Sequence, residues 1–204
     1  MWIQFALFAA LLLPAALLGL RGNAGRRGSR VILVVAFVAF VAFSSMRAVS
    51  VGNDTVEYHR VFEEIKATTS LQEAFTVSRF EYGYVVLNYL VSRITDSFNI
   101  LLLIISVFVY GSAVLFIKRY AANYSLAVLL AFGISAFYDF TLFPRQSVAV
   151  AIFLLAVPAL MERKLLRYAL LIALASQFHL SALLLLVIYL VSAMRLSTFG
   201  DWIK

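Results

Sequence analysis

Phe98 to Ile117 is a stretch of twenty residues without one charged side chain, closed by Lys118-Arg119. As a helix it would run about 30 Å, the thickness of a bilayer's hydrocarbon core. Similar apolar runs recur at Trp2–Leu20, Val31 to about Ser45, Tyr124–Phe143 and Ser147–Met161. With 64% of 204 residues hydrophobic and 13% charged, the chain is expected to be an all-α, polytopic integral membrane protein. No segment alternates with period two, which argues against a β-barrel. The absence of cysteine excludes disulfides and thiolate metal sites.

The charges order these runs. Arg21, Arg26, Arg27 and Arg30 follow the first run rather than precede it, so it reads as a span and not a signal peptide. Lys118-Arg119 and the cluster from Glu162-Arg163-Lys164 to Arg167 close later runs. Basic loops face the cytoplasm, and all three clusters do so if the N-terminus is outside. The net charge of +7 then reflects membrane orientation and not nucleic-acid binding. The long polar stretch 47–83 carries four basic and six acidic residues and falls outside the cytoplasm. Asp54 with Glu57, and Ser70 with Glu73, have the spacing of helix-capping boxes.

Tyr84–Ile94 is apolar but only eleven residues long, roughly 16 Å as a helix, and reads as interfacial or re-entrant. Tyr168–Met194 is long enough for one tilted span, and no Gly or Pro interrupts it. Ser176, Gln177, His179 and Ser181 nevertheless cluster at its centre, where a break would sit. The prediction is about six spans, seven if the last is broken, in a single transmembrane domain over 1–204.

This topology places Asp54, Glu57, Tyr58, Arg60, Glu81, Asp139, Arg145 and Gln146 on the outer face, with His179 there or at membrane depth. An arginine beside a membrane span is costly and so a functional candidate, although it also serves as a span-end anchor. Its planar donors match phosphate oxygens, and a carboxylate or histidine can act as base on a sugar hydroxyl. Each residue has a plainer role as well. Asp54 could cap a helix, Tyr58 and Phe62 could pack, Glu81 could be a loop carboxylate, Arg145 could pair with Asp139, and His179 could be a hydrogen-bonded packing residue. Two histidines without a close carboxylate make no recognisable metal motif.

Gly52-Asn53-Asp54 with Tyr58 and Phe62, Glu81-Tyr82-Gly83-Tyr84, Arg145-Gln146-Ser147-Val148-Ala149 and Phe178-His179-Leu180-Ser181-Ala182 occur in this order beside membrane segments. Together they resemble the EpsG family, Wzy-like polymerases of bacterial exopolysaccharides, over Val31–Tyr189. The resemblance implies a GT-C-like membrane glycosyltransferase. It would polymerise undecaprenyl-diphosphate-linked oligosaccharide units at the outer face of the cytoplasmic membrane into exopolysaccharide, capsule or O-antigen. It assigns Asp54 or Glu81 as base or acceptor-hydroxyl binder, Arg145 as clamp for the departing diphosphate, and His179 as the alternative base. Asn53, Tyr58, Arg60, Tyr84 and Gln146 would bind substrate, Gln146 by orienting Arg145 or a sugar. No cofactor is implied, and a divalent metal is left open.

Expected partners are the lipid-linked glycan, the bilayer, and a flippase, chain-length regulator or other assembly protein; nucleic acid is not expected. The chain is shorter than is usual for the family, so a fragment, a disrupted product or a subunit completed by another chain is expected. Two other functions fit the same residues: a transporter or flippase of a lipid-linked or anionic solute, and a non-catalytic subunit of an envelope polysaccharide complex.

Overall fold

A computed structural model describes residues 26–52, 54–133 and 136–193, and every element there is helical. The helices are α1 (Arg26–Ser45), α2 (Thr55–Ala67), α3 (Leu71–Val77), α4 (Tyr82–Ser92), α5 (Phe98–Tyr120), α6 (Tyr124–Gly133), α7 (Ala136–Leu142), α8 (Pro144–Met161), α9 (Leu165–Ser176) and α10 (Leu186–Ala193). A 3-10 helix, Leu180–Leu185, joins the last two. The expected span Trp2–Leu20, Arg21 and Asn53 lie outside the described residues.

α5 and α8 are long and apolar enough to cross a bilayer; Arg30–Ser45, Leu165–Ser176 and Leu180–Ser192 are apolar but shorter. The expected span Tyr124–Phe143 is represented by two helices, α6 and α7, on either side of residues 134–135. Apolar side chains also face outward. On α9, Leu166, Leu170 and Leu174 recur every four residues and are 75%, 62% and 50% exposed. An apolar stripe of that kind needs lipid or a partner.

Hydrogen bonds fix the helix directions. Asn99 Nδ2, in the first turn of α5, donates to the Ser45 carbonyl at 2.6 Å, so α1 and α5 pack antiparallel. Arg119 pairs with Glu162 at 3.8 Å, which brings the C-terminal ends of α5 and α8 together. The basic helix ends therefore gather at one end of the bundle, while the loop after α1 and the start of α8 lie at the other. The core between α5 and α8 contains Leu101, Leu102, Ile105, Val148, Ala149 and Ile152, all buried.

The polar stretch folds into α2 and α3, which lie with the short apolar α4 across that second end. Gly52 has φ +92°, the left-handed region that favours glycine, and turns the chain into α2. The Ser70–Glu73 box forms: Ser70 Oγ accepts from the Glu73 N–H at 3.2 Å, while Glu73 reaches back to the Thr69 N–H at 2.7 Å. The Asp54–Glu57 box does not. Asp54 sits at the N-cap in a helical backbone conformation and makes no side-chain cap bond, while Glu57 is taken by Arg60. Arg93 closes the layer by donating from α4 to the Ile65 and Lys66 carbonyls that end α2, both at 3.1 Å.

The last segment is broken. α9 ends at Ser176, and His179 is extended, with φ −156° and ψ 112°. No Gly or Pro causes this; of the two readings the sequence left open, one tilted helix or a break at the polar cluster, the break is the one that forms. The freed backbone groups are satisfied by α4 and the residue before it: the Gln177 carbonyl accepts from the Gly83 N–H at 2.8 Å, and the Leu180 N–H donates to Glu81. Backbone groups freed from a helix take other partners, and tertiary ones have replaced helical ones here.

Candidate functional site

Glu81 is the residue at which three separate segments meet. It is the N-cap of α4 with an extended backbone, which leaves its side chain free to reach away from its own helix. Arg145 Nη1 donates to Glu81 Oε2 across 64 residues of sequence. The Leu180 N–H donates to Oε1 at 3.1 Å, and His179 Nδ1 lies 3.7 Å from that same oxygen. Glu81 and Arg145 are each about one-fifth exposed, so the pair is shielded yet reachable.

Burial, the largest single influence on the Glu81 carboxyl, raises its pKa. Hydrogen bonds from backbone N–H groups, including that of Leu180, and the charge of Arg145 outweigh it and hold the carboxyl below its ordinary value. Glu81 is therefore ionised at neutral pH and a weak base. Its geometry suits it better to orienting its neighbours. At 3.7 Å the His179 contact is too long for a hydrogen bond, and Nδ1 is buried without another partner. A small closure would let Nδ1–H donate to Glu81 and leave Nε2 as a proton acceptor.

Arg145 opens α8, directly after Pro144 at its first turn. A cation is unfavourable at a helix N-terminus, so the position calls for a counter-charge, and Glu81 supplies it. The guanidinium is shelved on aromatic rings, with Cζ 4.0 Å from the Phe80 centroid and 5.8 Å from that of Tyr58. Tyr58, Phe80 and Tyr84 pack together with centroids 5.5–5.9 Å apart. Arg145 Nε remains buried and unbonded, so the arginine keeps donor capacity beyond Glu81.

Glu81, Arg145, His179, Tyr58 and Tyr84 are thus brought to one place. Others of the expected set are engaged elsewhere. Arg60 is tied to Glu57 and Glu64 on its own exposed helix face, beside a cleft that includes Arg79. Asp54 is exposed and has no described bond to the cluster. Gln146 is exposed and lines a separate pocket of about 340 Å³ with Asp139, Phe143 and Ser147. The suggested Arg145–Asp139 pair is replaced by Arg145–Glu81. A cleft of about 990 Å³ lined by Lys118, Arg119, Glu162 and Arg167 lies at the far end of α8, roughly 25 Å from Arg145 along the helix, and contains none of these residues.

Three participants were not singled out from sequence. Phe80 gave no signal beyond adjacency to Glu81. Gly83 was noted only as part of a motif; a Cβ there would lie 2.7 Å from the Gln177 carbonyl oxygen, so only glycine lets α4 approach the helix break. Arg47, one of the four basic residues of the 47–83 stretch, is 4% exposed. No group of three His, Asp or Glu able to hold a metal occurs among the described residues.

The sequence profile of the EpsG family matches residues 30–203, which include the whole cluster. No curated protein and no solved structure matches the chain.

Proposed function

The chain belongs to the EpsG family, and on that premise we propose that it polymerises undecaprenyl-diphosphate-linked oligosaccharide units at the outer face of the cytoplasmic membrane. The observation that carries this reading is the Glu81 carboxylate joining Arg145 and His179. A base and an anion binder held by one carboxylate suit a transfer in which a hydroxyl loses a proton while a diphosphate departs. The gathering of basic helix ends at the opposite end of the bundle supports the orientation.

His179 Nε2 accepts the proton of the acceptor sugar hydroxyl once a small closure lets Nδ1–H donate to Glu81, 3.7 Å away. The hydroxyl oxygen forms a bond to the anomeric carbon of the donor as the bond from that carbon to the diphosphate oxygen breaks. Arg145 binds the leaving diphosphate, where negative charge develops, and the positive N-terminus of α8 adds to it. Tyr58 and Tyr84 wall the site. Asp54, Arg60 and Gln146 are left with more peripheral roles in sugar binding.

Complementation of a polymerase-deficient strain tests this. Wild type restores long polymer and Arg145→Ala does not; equal chain lengths from both would overturn the clamp. The broken last helix also suits a transporter of a lipid-linked solute. In that case the Arg145→Ala strain accumulates repeat units on the inner leaflet, whereas a polymerase defect leaves them on the outer one.

A further inference from the structure

The cleft at the basic end of the bundle lies on α8 between α5 and α9, both of which pack against that helix. Its volume, about 990 Å³, is at the top of the range for small-molecule sites. Two kinds of residue line it, and they are segregated along its depth. Leu115 of α5, Leu154 and Leu155 of α8 and Leu170 of α9 form an apolar wall. Lys118, Arg119, Glu162 and Arg167 stand at the mouth, where α5 and α8 end and α9 begins. Leu154 precedes Glu162 by eight residues, so the wall runs roughly 12 Å inward from the charges.

The charges at the mouth do not cancel. Glu162 is shared: it pairs with Lys164 at 2.8 Å and Arg119 at 3.8 Å, and the charge of Arg167 reaches it from further away. Among the described residues it is the one carboxylate at this end of the bundle, and neither Lys118 nor Arg167 has an acidic side chain within ion-pair distance. Arg167 stands in the first turn of α9, which holds no acidic residue and has no side-chain cap. A helix N-terminus favours an anion, so a cation there calls for one from elsewhere. The occupant must therefore be anionic at one end and apolar along the wall. A free anion would leave the leucines bare. A second copy, inserted with the same topology, would bring its own cations to this level.

We propose that this cleft binds an anionic glycerophospholipid of the cytoplasmic leaflet, with an acyl chain along the leucines and the phosphate head between Lys118 and Arg167. Charge bias assigns this end of the bundle to the cytoplasmic side, where basic pockets between membrane helices suit anionic head groups. The planar guanidinium of Arg167 matches phosphate oxygens, and Lys118 adds a point charge from the facing helix. Leu115 and Leu170, each more than half exposed in the protein alone, gain an apolar neighbour. The bound lipid bridges α5 and α9 across the face of α8. This site is independent of the polymerase reading.

The test is equilibrium binding of phosphatidylglycerol and phosphatidylcholine, each with a fluorescent acyl chain, to the whole 204-residue chain in neutral-detergent micelles. Wild type is expected to bind phosphatidylglycerol about tenfold or more tightly than phosphatidylcholine; equal affinities overturn the proposal. Arg167→Gln is expected to weaken phosphatidylglycerol about fivefold, the effect of one cation at an anionic lipid surface, and to leave phosphatidylcholine unchanged. Arg163→Gln removes a charge from the same end but outside the cleft. An equal loss there assigns diffuse attraction and overturns the site. Should Arg167→Gln fail to fold, Lys118→Gln makes the same measurement from α5.

Leu170→Trp fills the cleft from an exposed position and is expected to weaken both lipids. A wild-type dimer that Leu170→Trp dissociates, with lipid affinity unchanged, gives the cleft to a second copy and overturns the proposal. Displacement of phosphatidylglycerol by an equal concentration of inorganic phosphate assigns a free anion and overturns it as well. None of these readouts involves polymer formation, so failure here leaves the proposed function standing.

Discussion

The Gly83 amide nitrogen donates to the carbonyl oxygen of Gln177 at 2.8 Å, so the start of α4 packs backbone against backbone on the broken last helix. Two residues before Gly83 stands Glu81, and two after Gln177 stands His179. This one contact sets the separation of the carboxylate and the imidazole.

Gly83→Ala should therefore disturb the site without touching a charged group. Its Cβ would lie 2.7 Å from a backbone oxygen and 2.9 Å from the Gln177 Cβ, neither of which can swing aside. Overpacking of this kind costs about 1–3 kcal/mol. Thermal unfolding should show the loss, and polymer length in a complemented strain should fall with it.

Glu81→Gln keeps an acceptor for the Leu180 N–H but leaves Arg145 without its counter-charge. Polymer formation should drop at least as far as in His179→Ala. The pH dependence of stability gives a separate signature. The folded pKa of Glu81 lies below its unfolded value, so its contribution is fully present above the ordinary carboxylate value and lost as pH falls through the lower folded one. Acid titration of the melting temperature should show this component in wild type and not in Glu81→Gln.

Phe80→Leu tests the aromatic shelf. A guanidinium 4.0 Å from a ring centroid gains about 0.5–2 kcal/mol from the ring's quadrupole. Losing it should reduce lipid-diphosphate affinity severalfold with little effect on stability.

Arg60→Ala should be nearly silent. Its partners, Glu57 and Glu64, lie on the same exposed helix face, and exposed pairs contribute little. Unchanged polymer length would remove Arg60 from the substrate-binding set; a clear loss would restore it.

These predictions separate what sequence could disclose from what it could not. The uncharged Phe98 run, the short apolar segment that becomes α4 (expected over Tyr84–Ile94 and found two residues earlier) and the Ser70–Glu73 cap are local features, and composition and spacing revealed them. Glu81, Arg145 and His179 could be named but not joined, because Glu81 meets Arg145 across 64 residues and the Leu180 N–H, next to His179, across 99. The break at Gln177 was marked only by the polar cluster of Ser176, Gln177, His179 and Ser181; the amide of Gly83 that meets its carbonyl lies on another helix and could not be read locally. Asp54 failed as a capping box because Glu57 found Arg60 one turn on. Arg47 was legible only as one charge of the 47–83 stretch, because spacing shows where a charge falls and not whether its side chain turns inward.

The Leu180 N–H that binds Glu81 is made 99 residues after it. During synthesis the carboxylate must wait, first for Arg145 and then for His179 and Leu180, while domains fold from the N-terminus onward. Until those two residues are made and docked, neither the carboxylate's alignment nor the imidazole is in place. Under the proposed function, a nascent chain that has not yet reached them is inert toward any lipid-linked sugar it meets.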